Sequence, residues 1–180
     1  MPTIAARELE RITRDIFVAH GAPSEDAAWV ATLLVRANLR GHDSHGVIRV
    51  PNYVAAIERG DLNPKAQISV DAETPVIARL DGDRGFGQVV ARRGITLAIE
   101  KAKAMGLAAV TLRRTTHVGH LADYAEMAAA QGLVGMLWVN VPTALNVAPF
   151  GGAARRLGTN QHAVAVPGPK IGRASCRERV

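Results

Sequence analysis

Between Arg40 and Tyr53 the chain sets Arg40, His42, Asp43, Ser44, His45, Arg49 and Tyr53 into one glycine-bounded turn and the segment after it. Core packing has no use for that mixture. A site that holds a small anion and moves a proton does. A guanidinium is a planar fork that matches a carboxylate and stays charged at any working pH. Serine and tyrosine hydroxyls donate further bonds to the same ligand. Imidazoles titrate near neutrality. If a helix begins near Val47, Arg49 and Tyr53 lie four residues apart and share a face. Taken by residue type alone, Ser44 could equally cap a helix, Arg49 lie on a wet surface and Tyr53 pack at its rim.

A second cluster is Thr116-His117-Val118-Gly119-His120. His117 follows an expected strand and precedes a glycine and an expected helix, at the C-terminal edge of a strand where loops commonly carry chemistry. A histidine there can take a proton from a hydroxyl and return it. The pairs His42/His45 and His117/His120 have a spacing that a helix could use for zinc. Structural zinc, however, usually takes four ligands rich in cysteine, and the chain has a single Cys. No metal is expected, and His120 is assigned to capping the following helix. Gly82-Asp83-Arg84-Gly85-Phe86-Gly87-Gln88 approximates a dinucleotide fingerprint. It lacks the third glycine, and the next strand ends in Arg113-Arg114 where an acid would stand, so a tight turn is expected there. Asn140, Pro149-Phe150-Gly151-Gly152 and Gly158-Thr159-Asn160 are better cofactor candidates. Their glycines permit close approach, and their amides and hydroxyl suit ribose, phosphate or nicotinamide; structural turns are the rival reading.

Three blocks in order resemble the malate/L-lactate dehydrogenase family, which also holds ureidoglycolate and sulfolactate dehydrogenases: Arg40 to Tyr53 (RGxxSHGxxRxxxY), Thr116 to Gly132, and Ala148 to Asn160. The resemblance runs from Arg7 to about Pro167. It implies a non-Rossmann fold that uses NAD or NADP, a homodimer, and hydride transfer on a small 2-hydroxy or 2-oxo acid. It also implies His117 as proton acceptor, Ser44, Arg49 and Tyr53 in the substrate pocket, and His45 close to substrate or cofactor. With Asn140, Gly158, Thr159 and Asn160, His45 completes the expected cofactor set. The family usually continues the GTN motif with Pro, where this chain has Gln161-His162. A reductase of cyclic 2-imino acids and a non-catalytic half-chain acting by association are the alternatives.

These residues need elements to hold them. Thr3 to His20 reads as a helix with Leu9, Ile12, Ile16 and Ala19 on one face. A second helix opens at Pro23-Ser24, with Ser24 as N-cap, Glu25 and Asp26 in its first turn and Val30, Leu33, Leu34 and Ala37 as its buried stripe. A third runs to Arg59 with Pro51 in its first turn. Strands are expected at 76–80, 107–112, 134–139 and 163–166, and helices at 88–105 and 121–130. Strands alternating with helices indicate an α/β (mixed α+β) layer. The expected division is a helical N-terminal unit at 1–60, the start of a sheet-bearing NAD(P)-binding unit at 61–169, and a non-native tail at 170–180.

That tail breaks every pattern before it. It carries the only cysteine and half of the net charge of +6, and it reads like a translated sequencing adapter. The resemblance then implies the N-terminal half of a longer protein, inactive on its own. With the tail set aside, the scattered basic residues give no nucleic-acid footprint. No run of ~18 apolar residues suggests a membrane span, and no secretory signal is legible. The scarcity of cysteine fits a reducing cytoplasm.

Overall fold

The computed structural model describes residues 3–141, 146–168 and 175–177. The chain forms two compact units, Met1–His120 and Leu121–Val180. Among the described residues, no helix is long and apolar enough to cross a membrane.

The first unit opens with α1 (Ala6–Ala19) and α2 (Ser24–Leu39), which pack together. On α1 the buried positions are Thr13 and Phe17, while Ile12 is exposed, so the inward stripe is rotated from the Leu9–Ile12–Ile16–Ala19 face expected. The reason is volume: Phe17 reaches the core where Tyr53 and Phe86 meet it, with ring centroids 6.0 and 5.2 Å away. On α2, Val30, Leu33, Leu34 and Ala37 are buried as their spacing predicts. Ser24 is the first helical residue rather than the cap; Pro23 occupies the cap position and no side chain caps the helix. Two 3-10 turns, Asp43–His45 and Val47–Arg49, lead into α3 (Val50–Glu58), with Pro51 in its first turn.

Next comes a three-stranded sheet, ordered β1 (Ser69–Glu73), β2 (Ile77–Asp81) and β3 (Ala109–Arg113). β1 runs antiparallel to β2, and β2 parallel to β3 with Ile77 opposite Ala109. The crossover between the parallel pair is α4 (Gly87–Met105), ended by Gly106 in the left-handed region (φ 87°). Every residue of β1 is exposed, and this strand was not among those expected from the sequence although Ser69-Val70-Asp71-Ala72-Glu73 alternates polar and apolar residues.

The second unit holds α5 (Ala122–Ala129) packed on an antiparallel sheet of β4 (Gly135–Trp138), β5 (His162–Ala165) and β6 (Ser175–Arg177). Gly135 lets α5 lie close, since a Cβ there would sit 2.6 Å from the Ala125 carbonyl oxygen. β6 lies in the segment set aside from the sequence, and its backbone pairs with β5; the remainder of 170–180 lies outside the described residues.

The contact that matters most for the site is between the turn at 82–87 and the strap at 113–117. Gly82 N donates to Arg113 O at 2.9 Å, Arg84 N to Arg114 O at 2.7 Å and Thr116 N to Gly85 O at 3.3 Å. Thr116 Oγ1 donates to Gly85 O at 2.8 Å and accepts from Gly87 N at 3.1 Å. A Cβ on Gly87 would be driven into the carbonyl oxygens of Thr116 and His117. Backbone atoms cannot swing aside, so Gly87→Ala should cost about 1–3 kcal/mol by overpacking. Urea unfolding measures this; an unchanged midpoint would mean the strap is not held as described.

Candidate functional site

The first unit gathers five of the residues singled out in the sequence: Ser44, His45, Arg49, Tyr53 and His117. Asn38, near the end of α2, fixes the loop that carries the first three. Its Nδ2 donates to Asp43 Oδ1 at 2.6 Å and its Oδ1 accepts from Val47 N at 2.9 Å. Gly46 must lack a side chain because a Cβ would collide with that amide. The loop thereby presents Ser44 Oγ 3.0 Å from His45 Nδ1, and Arg49 Nε donates to the Ser44 carbonyl oxygen at 2.5 Å. This anchors the guanidinium through one edge. Among the described residues its two terminal nitrogens make no hydrogen bond, and they are the fork a carboxylate needs.

Tyr53 is placed differently from Ser44 and Arg49. It is buried against Phe17 and Phe86. Its hydroxyl lies 2.7 Å from His117 Nδ1 and accepts from Gln88 Nε2 at 2.7 Å. It therefore holds the His117 imidazole through Nδ1. Gln88, completely buried in the first turn of α4, was not singled out from the sequence as a site residue. The available signal was a polar residue between the glycine turn and the apolar Val89-Val90, at a position that belongs to the core.

The charges around His117 explain its ionisation. Burial first, and after it the electrostatic influence of His45 and Arg49, push its pKa down from its ordinary 6.5 to about 4. Burial pushes the Tyr53 phenol up to about 12, opposed by the Gln88 hydrogen bond and the Arg49 charge. At neutral pH both groups are therefore uncharged. His45 and His117 rings lie 5.4 Å apart, and His42 and His120 rings 4.7 Å apart. The histidines thus meet across the two loops, not along one helix as the zinc spacing required. The His120 ring lies tilted against that of His42, while Leu121 takes the cap position of α5 without a side-chain cap. Among the described residues, no three His, Cys, Asp or Glu side chains converge as a metal would need.

The fingerprint-like turn at 82–88 is scaffold. The amide of Gly87 at the α4 N-terminus is committed to Thr116. Arg113 is bound to Asp71 at 2.6 Å and Asp81 at 2.8 Å, and Arg114 to Asp81 at 3.1 Å and Asp83 at 3.4 Å. Neither arginine is left open for a 2′-phosphate.

In the second unit, Val139 N donates to Gln161 O at 3.1 Å beyond the β4–β5 ladder. Asn140 therefore leaves β4 next to the segment that carries Thr159 and Asn160. Asn140 and Asn160 are exposed, and Gly158 and Thr159 half-buried. The Pro149–Gly152 turn closes with Gly152 N donating to Pro149 O at 2.9 Å. Neutral amides and a hydroxyl beside flexible glycines form a donor set that suits a carboxamide or a ribose.

Comparison with known proteins gives this geometry a context. Residues 4–174 match the malate/L-lactate dehydrogenase family. A malate dehydrogenase of Pyrococcus abyssi is 46% identical over 147 residues, which is 82% of this chain and 40% of that protein. The structure of a sulfolactate dehydrogenase from Methanocaldococcus jannaschii superposes with a TM-score of 0.90 at 37% identity, over 98% of this chain and 50% of that one. A Δ1-piperideine-2-carboxylate reductase from Pseudomonas syringae gives a TM-score of 0.85 at 31% identity, over 99% of this chain and 53% of that one. The chain spans about half the length of the relatives it matches.

A neutral, desolvated His117 has a measurable consequence. Below pH 6.5 the unfolded chain takes up a proton that the folded imidazole refuses until about pH 4. Stability should therefore fall as pH falls through that window, by about 3 kcal/mol from this residue. Urea unfolding at several pH values, compared between wild type and His117→Gln, isolates that part; identical slopes would show that His117 is not held neutral.

Proposed function

For a chain that belongs to the malate/L-lactate dehydrogenase family, we propose hydride transfer between NAD or NADP and a small 2-hydroxy acid or its 2-oxo acid. The observation that carries the reading is the Tyr53–His117 hydrogen bond at 2.7 Å, in the same unit as an arginine with two unused guanidinium nitrogens. Arg49 clamps the substrate carboxylate, and Ser44 donates a further bond to it. The bound carboxylate offsets the Arg49 charge that helps hold the His117 pKa down, so substrate binding raises the basicity of the imidazole. His117 then passes a proton to or from the oxygen on C2.

Asn140, Gly158, Thr159 and Asn160, with His45, are the residues that would hold the nicotinamide nucleotide. When bound, the nucleotide supplies or takes the hydride, and the protein supplies alignment and charge. We infer further a cytoplasmic homodimer built from a chain about twice this length, as the half-length match to relatives suggests, with residues 1–180 alone inactive.

Two observations favour narrower alternatives. The likeness to the piperideine-carboxylate reductase makes a cyclic 2-imino acid a second substrate class. Assays of the full-length enzyme with both cofactors against 2-oxo and cyclic 2-imino acids separate the two. The Ser44–His45 contact of 3.0 Å makes His45 a second imidazole able to carry the proton. A folded, dimeric protein without NAD(P)H binding would instead favour a role by association.

His117→Ala in the full-length protein should lower kcat by about 10²–10⁴-fold while cofactor binding persists. Near-normal turnover there, with loss in His45→Ala, would move the proton role to His45. Arg49→Lys replaces a fork by a point charge and should chiefly raise KM; unchanged KM and kcat would remove Arg49 from the site.

A further inference from the structure

Gln88 occupies a position where a leucine or methionine would pack without difficulty. Each buried polar atom without a partner costs about 1–3 kcal/mol, and Gln88 Oε1 has none among the described residues. The amide nevertheless makes one bond, from Nε2 to Tyr53 Oη at 2.7 Å. Tyr53 Oη is in turn 2.7 Å from His117 Nδ1. The phenol has a single proton. Because its oxygen accepts from the Gln88 amide, that proton is free to point at His117. A neutral imidazole also carries a single proton, and an accepting Nδ1 leaves it on Nε2.

We propose that Gln88 is a positioning residue: by donating to Tyr53 it turns the phenol proton onto His117 Nδ1 and so holds neutral His117 with its proton on Nε2. The proposal rests on His117 as the proton carrier and deepens that reading. Nε2 makes no hydrogen bond among the described residues, so in the resting protein it is a donor, presented to a carbonyl oxygen such as that of a 2-oxo acid. As the Nε2 proton passes to the substrate oxygen, the Tyr53 proton passes to Nδ1. The phenolate that remains accepts from Gln88 Nε2–H and from the new Nδ1–H, until solvent returns a proton to it. The reverse order serves a substrate hydroxyl. Gln88 already pulls against the burial that raises the phenol pKa, as a donor to the phenolate must. A group at position 88 that can only accept would reverse the row: Tyr53 would donate to it, and Tyr53 would accept from His117 Nδ1–H.

The test is ¹⁵N NMR of the full chain with labelled histidine, without substrate or cofactor, so it can fail while the dehydrogenase reading stands. Near neutral pH, wild-type His117 should show its proton on Nε2; a proton on Nδ1 overturns the proposal without any variant. Gln88→Glu, followed to about pH 10 so that even a buried carboxylate ionises, should move the proton to Nδ1. An unmoved tautomer in a variant with a native circular dichroism spectrum would equally overturn it. Gln88→Met removes the donor and should leave a mixture of tautomers. In the full-length enzyme Gln88→Met should lower kcat for 2-oxo acid reduction by about tenfold or more, with KM changing less than about twofold. A kcat unchanged in that variant counts against the proposal.

Discussion

A phenol hydroxyl cannot be withdrawn from water without partners, because a buried, unpaired polar group costs as much as several good packing contacts return. Tyr53 is withdrawn. Its ring completes a cluster with Phe17 of α1 and Phe86 at the start of α4, and its oxygen must be met from within. Gln88 meets it from α4 and His117 from the strap after β3. One buried hydroxyl thus ties α3, α4 and the strap together. The apolar core of the first unit and its chemistry share the same side chain.

The same closeness sets the electrostatics. His117 is held near His45 and Arg49 and away from water, and each of these disfavours its charged form. The acids that could have compensated are committed elsewhere. Asp71, Asp81 and Asp83 neutralise Arg113 and Arg114 at the ends of β2 and β3, which locks the root of the strap. Asp43 is bound to Asn38. Among the described residues the Arg49 guanidinium bonds only to the Ser44 carbonyl oxygen, which leaves its charge without a carboxylate partner.

Much of this was legible in the sequence. Helical periodicity located α2, α4 and α5, because their apolar positions recur at helical spacing and glycines follow α4 and α5 closely. The mixture at Ser44, His45 and Arg49 was conspicuous because core packing does not ask for it, but surface and capping roles remained open until the family resemblance was added. What could not be read was tertiary. Ser69-Val70-Asp71-Ala72-Glu73 does alternate polar and apolar residues, but its apolar members are only Val70 and Ala72 and every residue is exposed, so the signal was too weak to mark β1. The stripe of α1 follows Phe17, whose partners Tyr53 and Phe86 are far away in sequence. For Tyr53, spacing showed only a face shared with Arg49, and the family resemblance implied a place in the substrate pocket. Its burial depends on packing that its neighbours in sequence do not encode. Gln88 was hidden by the glycine pattern before it, which drew attention to phosphates.

That glycine pattern shows why a motif needs its structural context. A glycine at a helix N-terminus permits close approach of whatever lies opposite. In a dinucleotide site that is a pyrophosphate; in this chain it is the backbone of Thr116 and His117. The Gly87 amide at that terminus donates to the Thr116 hydroxyl, so a protein oxygen takes the N–H that a phosphate oxygen would otherwise accept from. By placing protein there, the fold commits the α4 N-terminus to holding the imidazole. The turn that resembles a cofactor cradle therefore helps to fix the segment that carries His117.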